Sequence, residues 1–257
     1  MKKYIKRNFF LYDLVVKILY ILKGKTSWKI LFYNTKKDLD FNIKNLKEIN
    51  KSYNFSFEKI NDIFRYDFRY AIFEELKKFY NNNSLKILEI GTFKGDFANY
   101  LAKKFKNSEI TTIDLEKTDP RFIQTYDRSE KEMRTKFLNY RDNNLSLNNI
   151  KFLEMDSVNL MKVFQKDTFD IIWVDGYHID PVVTKDLYSS LNLIKKNGFV
   201  VIDDVYKTEP PGTNCSTDSF LTLKKLNKEN NVNYILLNKF VRPANYKVNP
   251  YVAFFKK

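Results

Sequence analysis

Between Leu85 and Asp204 one pattern recurs: a short apolar run that stops on an acidic residue. The runs are LKILEI (85–90), EITTIDL (109–115), IKFLEMD (150–156), FDIIWVD (169–175) and FVVIDD (199–204). Each has the length of a buried strand, and the segments between them have helical spacing. From Asp96 to Phe105 the apolar side is Phe97, Tyr100, Leu101 and Phe105. A short helix is expected over Val158, Met161 and Phe164. Another starts at Asp180 as N-cap with Pro181 in the first turn, keeps Val183, Leu187, Leu191 and Ile194 on one face, and ends at Gly198. A helix around 218–229 and strands VNYILLN (232–238) and YVAFF (251–255) close the chain. Alternation of this kind predicts a mostly parallel sheet covered on both faces.

In open sheets of this class, ligands bind beyond the carboxyl ends of the strands. The candidate binding residues are therefore the acids at those ends: Glu89, Asp114, Asp156, Asp175, Asp203 and Asp204. The first strand runs into EIGTFKGDF, where Gly91 and Gly95 bracket a turn into a helix. Glycine lets the backbone approach a ligand closely, and a helix N-terminus offers free N–H groups. The spacing is G-x-x-x-G, and Glu89 beside it would repel a pyrophosphate but suit an ammonium group. Asp114 follows Gly91 by 23 residues, near the ~20-residue offset at which an acid meets ribose hydroxyls. A ribose joined to a cationic group fits this pocket; a phosphate does not.

In this order, LEIGTFKGDFANYL, TTIDLE, FLEMDS, FDIIWVDGYH and NGFVVIDD resemble the class I S-adenosylmethionine-dependent methyltransferases. The resemblance covers residues 84–257 and implies a Rossmann-like doubly wound α/β sheet of about seven strands, the last antiparallel. It implies S-adenosylmethionine as cofactor, with Glu89, Gly91, Thr92 and Gly95 at the methionine end, Asp114 on the ribose and Asp156 near the adenine. Helix capping is the competing role for Asp156. VDGYH with IDD is similar to the metal-dependent branch of these enzymes, which includes catechol-type and sugar O-methyltransferases. That likeness implies Asp175, Asp203 and Asp204 as ligands of Mg²⁺ or another divalent cation, a choice that suits hard oxygen donors. The competing reading leaves Asp175 on the cofactor and the Asp203–Asp204 pair as a turn. His178, the only histidine in the chain, stands three residues past Asp175. It is expected either as the catalytic base beside Asp175 or as a local hydrogen-bonding group that fixes the loop.

Residues 1–83 read as a separate N-terminal helical extension. Phe57, Ile60, Phe64, Phe68, Ile72, Leu76 and Phe79 form a helical stripe, and NNNS (81–84) breaks it. Residues 1–23 are basic and then apolar, but Asp13 and Lys17 interrupt the run. This favours an amphipathic helix packed on its own domain or on a second copy, with peripheral membrane contact as the alternative. A lone cysteine, Cys215, rules out an internal disulfide and fits the cytoplasm. The formal charge of +14 favours anionic partners. Arg121, Arg128, Arg134 and Arg141 lie in a long insertion (117–144) read as a lid for an anionic or sugar-linked small molecule. Nucleic acid is the less favoured substrate, because no RNA-binding module is recognisable. A homo-oligomer is expected.

Overall fold

In the computed structural model, residues 41, 44–49, 51–52, 68–81, 83–126, 128–209, 215–239 and 250–257 are described. The part of the expected stripe over residues 57–67, the amphipathic segment 1–23 and residues 210–214 lie outside them. Among the described residues no helix is long and apolar enough to cross a membrane.

Seven strands form one sheet: β1 (Lys86–Ile90), β2 (Glu109–Asp114), β3 (Ile150–Glu154), β4 (Phe169–Val174), β5 (Ile194–Val205), β6 (Tyr234–Asn238) and β7 (Tyr251–Lys256). Their spatial order is β3-β2-β1-β4-β5-β7-β6. The first five strands pair in parallel, and β7 runs antiparallel to both neighbours. The doubly wound, mostly parallel sheet expected from the sequence is therefore the observed one. Its order reverses between β1 and β4, which opens a crevice beyond the ends of those two strands.

Helices α1 (Phe68–Phe79), α2 (Asp96–Lys104), α3 (Pro120–Ile123), α4 (Lys131–Asn144), α5 (Leu160–Val163), α6 (Val182–Leu193) and α7 (Asp218–Asn230) complete the domain. The central strands are apolar on both sides because both faces are covered. One face buries Ile87, Ile171, Trp173, Phe199 and Val201, with Ile72, Phe73 and Leu76 of α1 in the same cluster. The other buries Leu88, Ile90, Ile172, Val174, Val200 and Ile202, with Val183 and Leu187 of α6 and Leu223 of α7.

Core packing thus runs across the texture change at residues 83–84. The Phe73 ring stands edge-on to Trp173 at 5.7 Å and to Phe97 at 5.2 Å. Full burial of a phenylalanine contributes roughly 1.5–3 kcal/mol, so α1 is integral to this core.

Two boundaries differ from the sequence expectation. Ile194, read as the last apolar position of a helix, opens β5, and Gly198 lies within that strand. The helix ends at Leu193, and Asn197, at φ +68°, shapes an irregular start to the strand where the register with β4 shifts. The N-cap of α6 is Pro181, after a cis Asp180–Pro181 bond, one position later than expected. Asp180 instead accepts a hydrogen bond from the Thr184 hydroxyl.

Helix α6 carries an unexpected buried charge. Asp186 is 1% exposed, and neither carboxylate oxygen has a hydrogen-bond partner among the described residues. Burial pushes its pKa up to about 7, against the pull of the nearby Ser157 hydroxyl and His178. The unfolded chain releases this proton near the ordinary value of 3.8, whereas the folded chain holds it to about 7. Between those values the folded state binds more protons, so stability falls as pH rises. Asp186→Asn should melt with wild type near pH 3, gain on it between about pH 4 and 7, and stay several degrees above it at pH 8. A melting-point difference that does not change with pH would remove this assignment.

Candidate active site

Strand register gathers the candidate residues before any side chain is considered. Ile90 pairs with Ile113 and with Val174, and Val174 pairs with Ile202. The next residue on each strand is Gly91, Asp114, Asp175 and Asp203, so these four form a row along one sheet edge. The row spans the β1–β4 reversal.

Gly91 is required by space and by backbone. It has φ +102°, and a Cβ there would lie 2.2 Å from the Asp175 carbonyl oxygen. Its N–H, like that of Thr92, donates to Ile113, and the Asp175 N–H donates to Ile90. The turn is therefore stitched to both neighbouring strands. Gly95, at φ +74°, caps α2. The Thr92 hydroxyl lies 2.6 Å from that of Thr112, which donates to Glu89 at 2.5 Å. Glu89 is fully enclosed, and burial lifts its pKa well above the usual carboxylate range; the charges of Asp175 and Asp114 push the same way, and only the Thr112 bond opposes.

Asp114 accepts from the N–H groups of Phe93 and Leu115, both at 2.8 Å. Burial raises its pKa, and these two bonds and the charges of Arg128 and Arg141 counter the rise. A carboxylate has about four acceptor positions, so two hydroxyls can still be received. Asp156 caps the short 3₁₀ helix at Ser157–Asn159 through Val158 N–H, and its second oxygen lies 2.8 Å from Arg121.

Past β4, His178 Nε2 lies 3.5 Å from Asp175 Oδ1, while its Nδ1 is buried without a hydrogen-bond partner among the described residues. Burial alone would lower the imidazole pKa; the contact with Asp175 and the charges of Asp204 and Asp203 outweigh it and raise it. Asp175, His178 and Asp204 can each bring a ligand atom within 4.8 Å of the others. Asp203 is absent from that group. Its Oδ2 accepts from Arg69 at 2.9 Å and from Lys239 at 2.7 Å. Lys239 also holds Asp204 Oδ1 at 2.7 Å, and Arg69 lies 3.8 Å from Asp175. Sequence reading missed both cations, since each comes from a segment with no motif of its own. The expected donor set of Asp175, Asp203 and Asp204 is already bridged by protein cations, so it does not fit a dication as it stands.

The insertion is not an open basic lid. Arg128 and Arg141 are buried, stacked on Phe122 and Phe137 and on Phe152 respectively. Arg121 is held by Asp119 and Asp156, and Arg134 by the Arg128 carbonyl. These guanidinium groups tie α3 and α4 over the ends of β2 and β3. Phe93 and Tyr126, whose rings meet edge-on at 5.0 Å, stay exposed on the outside.

Residues 88–205 match the family described as a methyltransferase domain. A tRNA (guanine-N(7)-)-methyltransferase of Mycoplasma capricolum subsp. capricolum is 30% identical over 136 residues, 49% of this chain and 57% of that protein. The chain thus spans little more than half the length of that curated relative. A Staphylococcus aureus protein provisionally named a caffeoyl-CoA O-methyltransferase superposes with a TM-score of 0.50 at 18% identity, over 83% of this chain and 98% of that one. The O-methyltransferase TomG of Streptomyces achromogenes superposes with a TM-score of 0.49 at 18% identity, over 72% and 77% of the two chains. The matched segment carries the whole row of strand-end acids, so the likeness to a methyltransferase domain and the Rossmann-like sheet fall on the same residues.

Proposed function

We propose that this protein transfers a methyl group from S-adenosylmethionine to a hydroxyl of a small molecule, a sugar or nucleotide-linked sugar being the acceptor that suits the site best. The observation that carries the reading is the row Gly91–Asp114–Asp175–Asp203 across the β1–β4 reversal, with His178 at its mouth. S-adenosylmethionine supplies, when bound, a methyl group on a sulfonium that needs no further activation. The protein's share is placement and proton removal. The close turn at Gly91 leaves backbone free to line the nucleoside, and Asp114 receives the ribose hydroxyls. Arg121, drawn onto Asp156, closes the far side.

A hydroxyl is a weak nucleophile until its proton is accepted in the transition state. His178 is the base in reach, and Asp175 orients its ring through Nε2. No step here requires a divalent ion. If S-adenosylmethionine is the cofactor, S-adenosylhomocysteine at about one hundred times its dissociation constant should stabilise the fold by about 2.7 kcal/mol. An unmoved melting point at millimolar ligand would end the reading. His178→Gln should lower kcat by roughly 10²–10⁴ and leave S-adenosylhomocysteine affinity within error. Equal loss of both would make His178 a structural residue.

The relative named as a tRNA methyltransferase, with the net charge of +14, favours one other reading, in which the acceptor is RNA. The insertion's buried or paired arginines give it no support. RNA binding would show a log–log salt slope of several units, reflecting displaced counterions. On the small-molecule reading, retention on tRNA or heparin should be weak and fade by physiological salt.

A further inference from the structure

We propose that Lys239 is the resident cation of this site, occupying with Arg69 the electrostatic role that a bound dication would otherwise fill between the strand-four and strand-five carboxylates. The contacts form an unbroken sequence of alternating charge. Asp175 faces Arg69 at 3.8 Å, Arg69 faces Asp203 at 2.9 Å, and Lys239 joins Asp203 to Asp204 at 2.7 Å on each side. Three carboxylates are thus met by two fixed positive charges.

Burial makes the arrangement committed. The side chains of Lys239 and Asp203 are 7% and 1% exposed. An ammonium moved that far from water is tolerated only when paired. Burial lowers the Lys239 pKa, but Asp203 and Asp204 more than reverse it, so the group is charged at neutral pH. The backbone is shaped to the same end. Lys239 N–H donates to Pro250 at 2.9 Å, which fixes it at the end of β6 beside β7. Asp204 takes φ +45°, a left-handed conformation costly for a residue with a Cβ, at the point where its carboxylate meets the ammonium. A dication at Asp175, His178 and Asp204 would compete with Lys239 for the Asp204 carboxylate and set a second positive centre beside the ammonium.

Both cations lie outside the matched residues 88–205. Lys239 acts as a positioning residue: it holds Asp203 and Asp204 and sets a fixed positive potential beside the acceptor's oxygen. Only this last consequence rests on the methyl-transfer reading; the occupancy of the site does not.

The test is a titration of Mn²⁺ against the full chain, following the free-ion electron paramagnetic resonance signal. Wild type should leave the signal unchanged at millimolar protein. Lys239→Ala should gain Mn²⁺ affinity by at least about tenfold, and the added change Asp204→Asn should abolish the gain. If Lys239→Ala fails to fold, Lys239→Met keeps the packed stem and removes only the charge. Wild-type Mn²⁺ binding that Asp204→Asn removes would overturn the proposal, as would Lys239 variants that fold and gain no ion. Stabilisation by S-adenosylhomocysteine, measured in parallel, reports on the methyl-transfer reading alone, so the two can fail separately.

Discussion

Carboxylates repel, and a parallel sheet whose strands finish in register brings them together. Here the pairing of Ile90, Ile113, Val174 and Ile202 sets Asp114, Asp175 and Asp203 on one edge, with Glu89 one residue behind. Burial raises the pKa of Glu89, Asp114 and Asp203, the last to about 7. Everything around this edge answers the resulting field: backbone N–H groups at Asp114, a hydroxyl at Glu89, cations at Asp203 and Asp204. A site already partly neutralised is a weak attractor for free ions. It is suited to a ligand that brings its own positive centre and offers hydroxyls as donors.

The neutralising groups are drawn from distant parts of the chain. Arg69 comes from the first turn of α1, and Lys239 from the turn after β6. For α1 this gives a second reason to pack on the sheet, besides the burial of Ile72, Phe73 and Leu76. The apolar stripe fixes which side of α1 meets β4, and the guanidinium meets carboxylates at the edge of that contact. Stability and site chemistry therefore share one interface, and α1 is not separable from the site.

The fold could be read from the sequence because its determinants are local. Apolar runs of strand length, helical spacing between them and an acid after each run all survive in a one-dimensional pattern, and so does the turn bracketed by Gly91 and Gly95. What was not legible depends on geometry across the sheet. Nothing marks Arg69 or Lys239 as different from the other basic residues until β6 and α1 are set beside β5. The start of β5 was misplaced because Ile194 satisfies both the helical period of α6 and the apolar demand of a buried strand. Periodicity cannot separate those two uses at a boundary. Asp186 belongs to no motif and stands beside the apolar position Leu187, yet its carboxylate faces Gly176 beneath the loop.

The arginines of the insertion show how charge in a sequence can mislead about charge at a surface. Four guanidinium groups in one loop suggested an anionic substrate. In the fold, two of them lie flat on aromatic rings and the others are spent on Asp119, Asp156 and a backbone carbonyl. Guanidinium is weakly hydrated and planar, so it can serve as packing material between rings where an ammonium could not. The exposed surface left behind includes the rings of Phe93 and Tyr126, next to Asp114. That side of the mouth offers flat apolar surface, and the fixed positive charge lies across the sheet edge at Lys239. On the methyl-transfer reading, an acceptor that meets both ends combines a ring body with hydroxyl oxygens, as a sugar does.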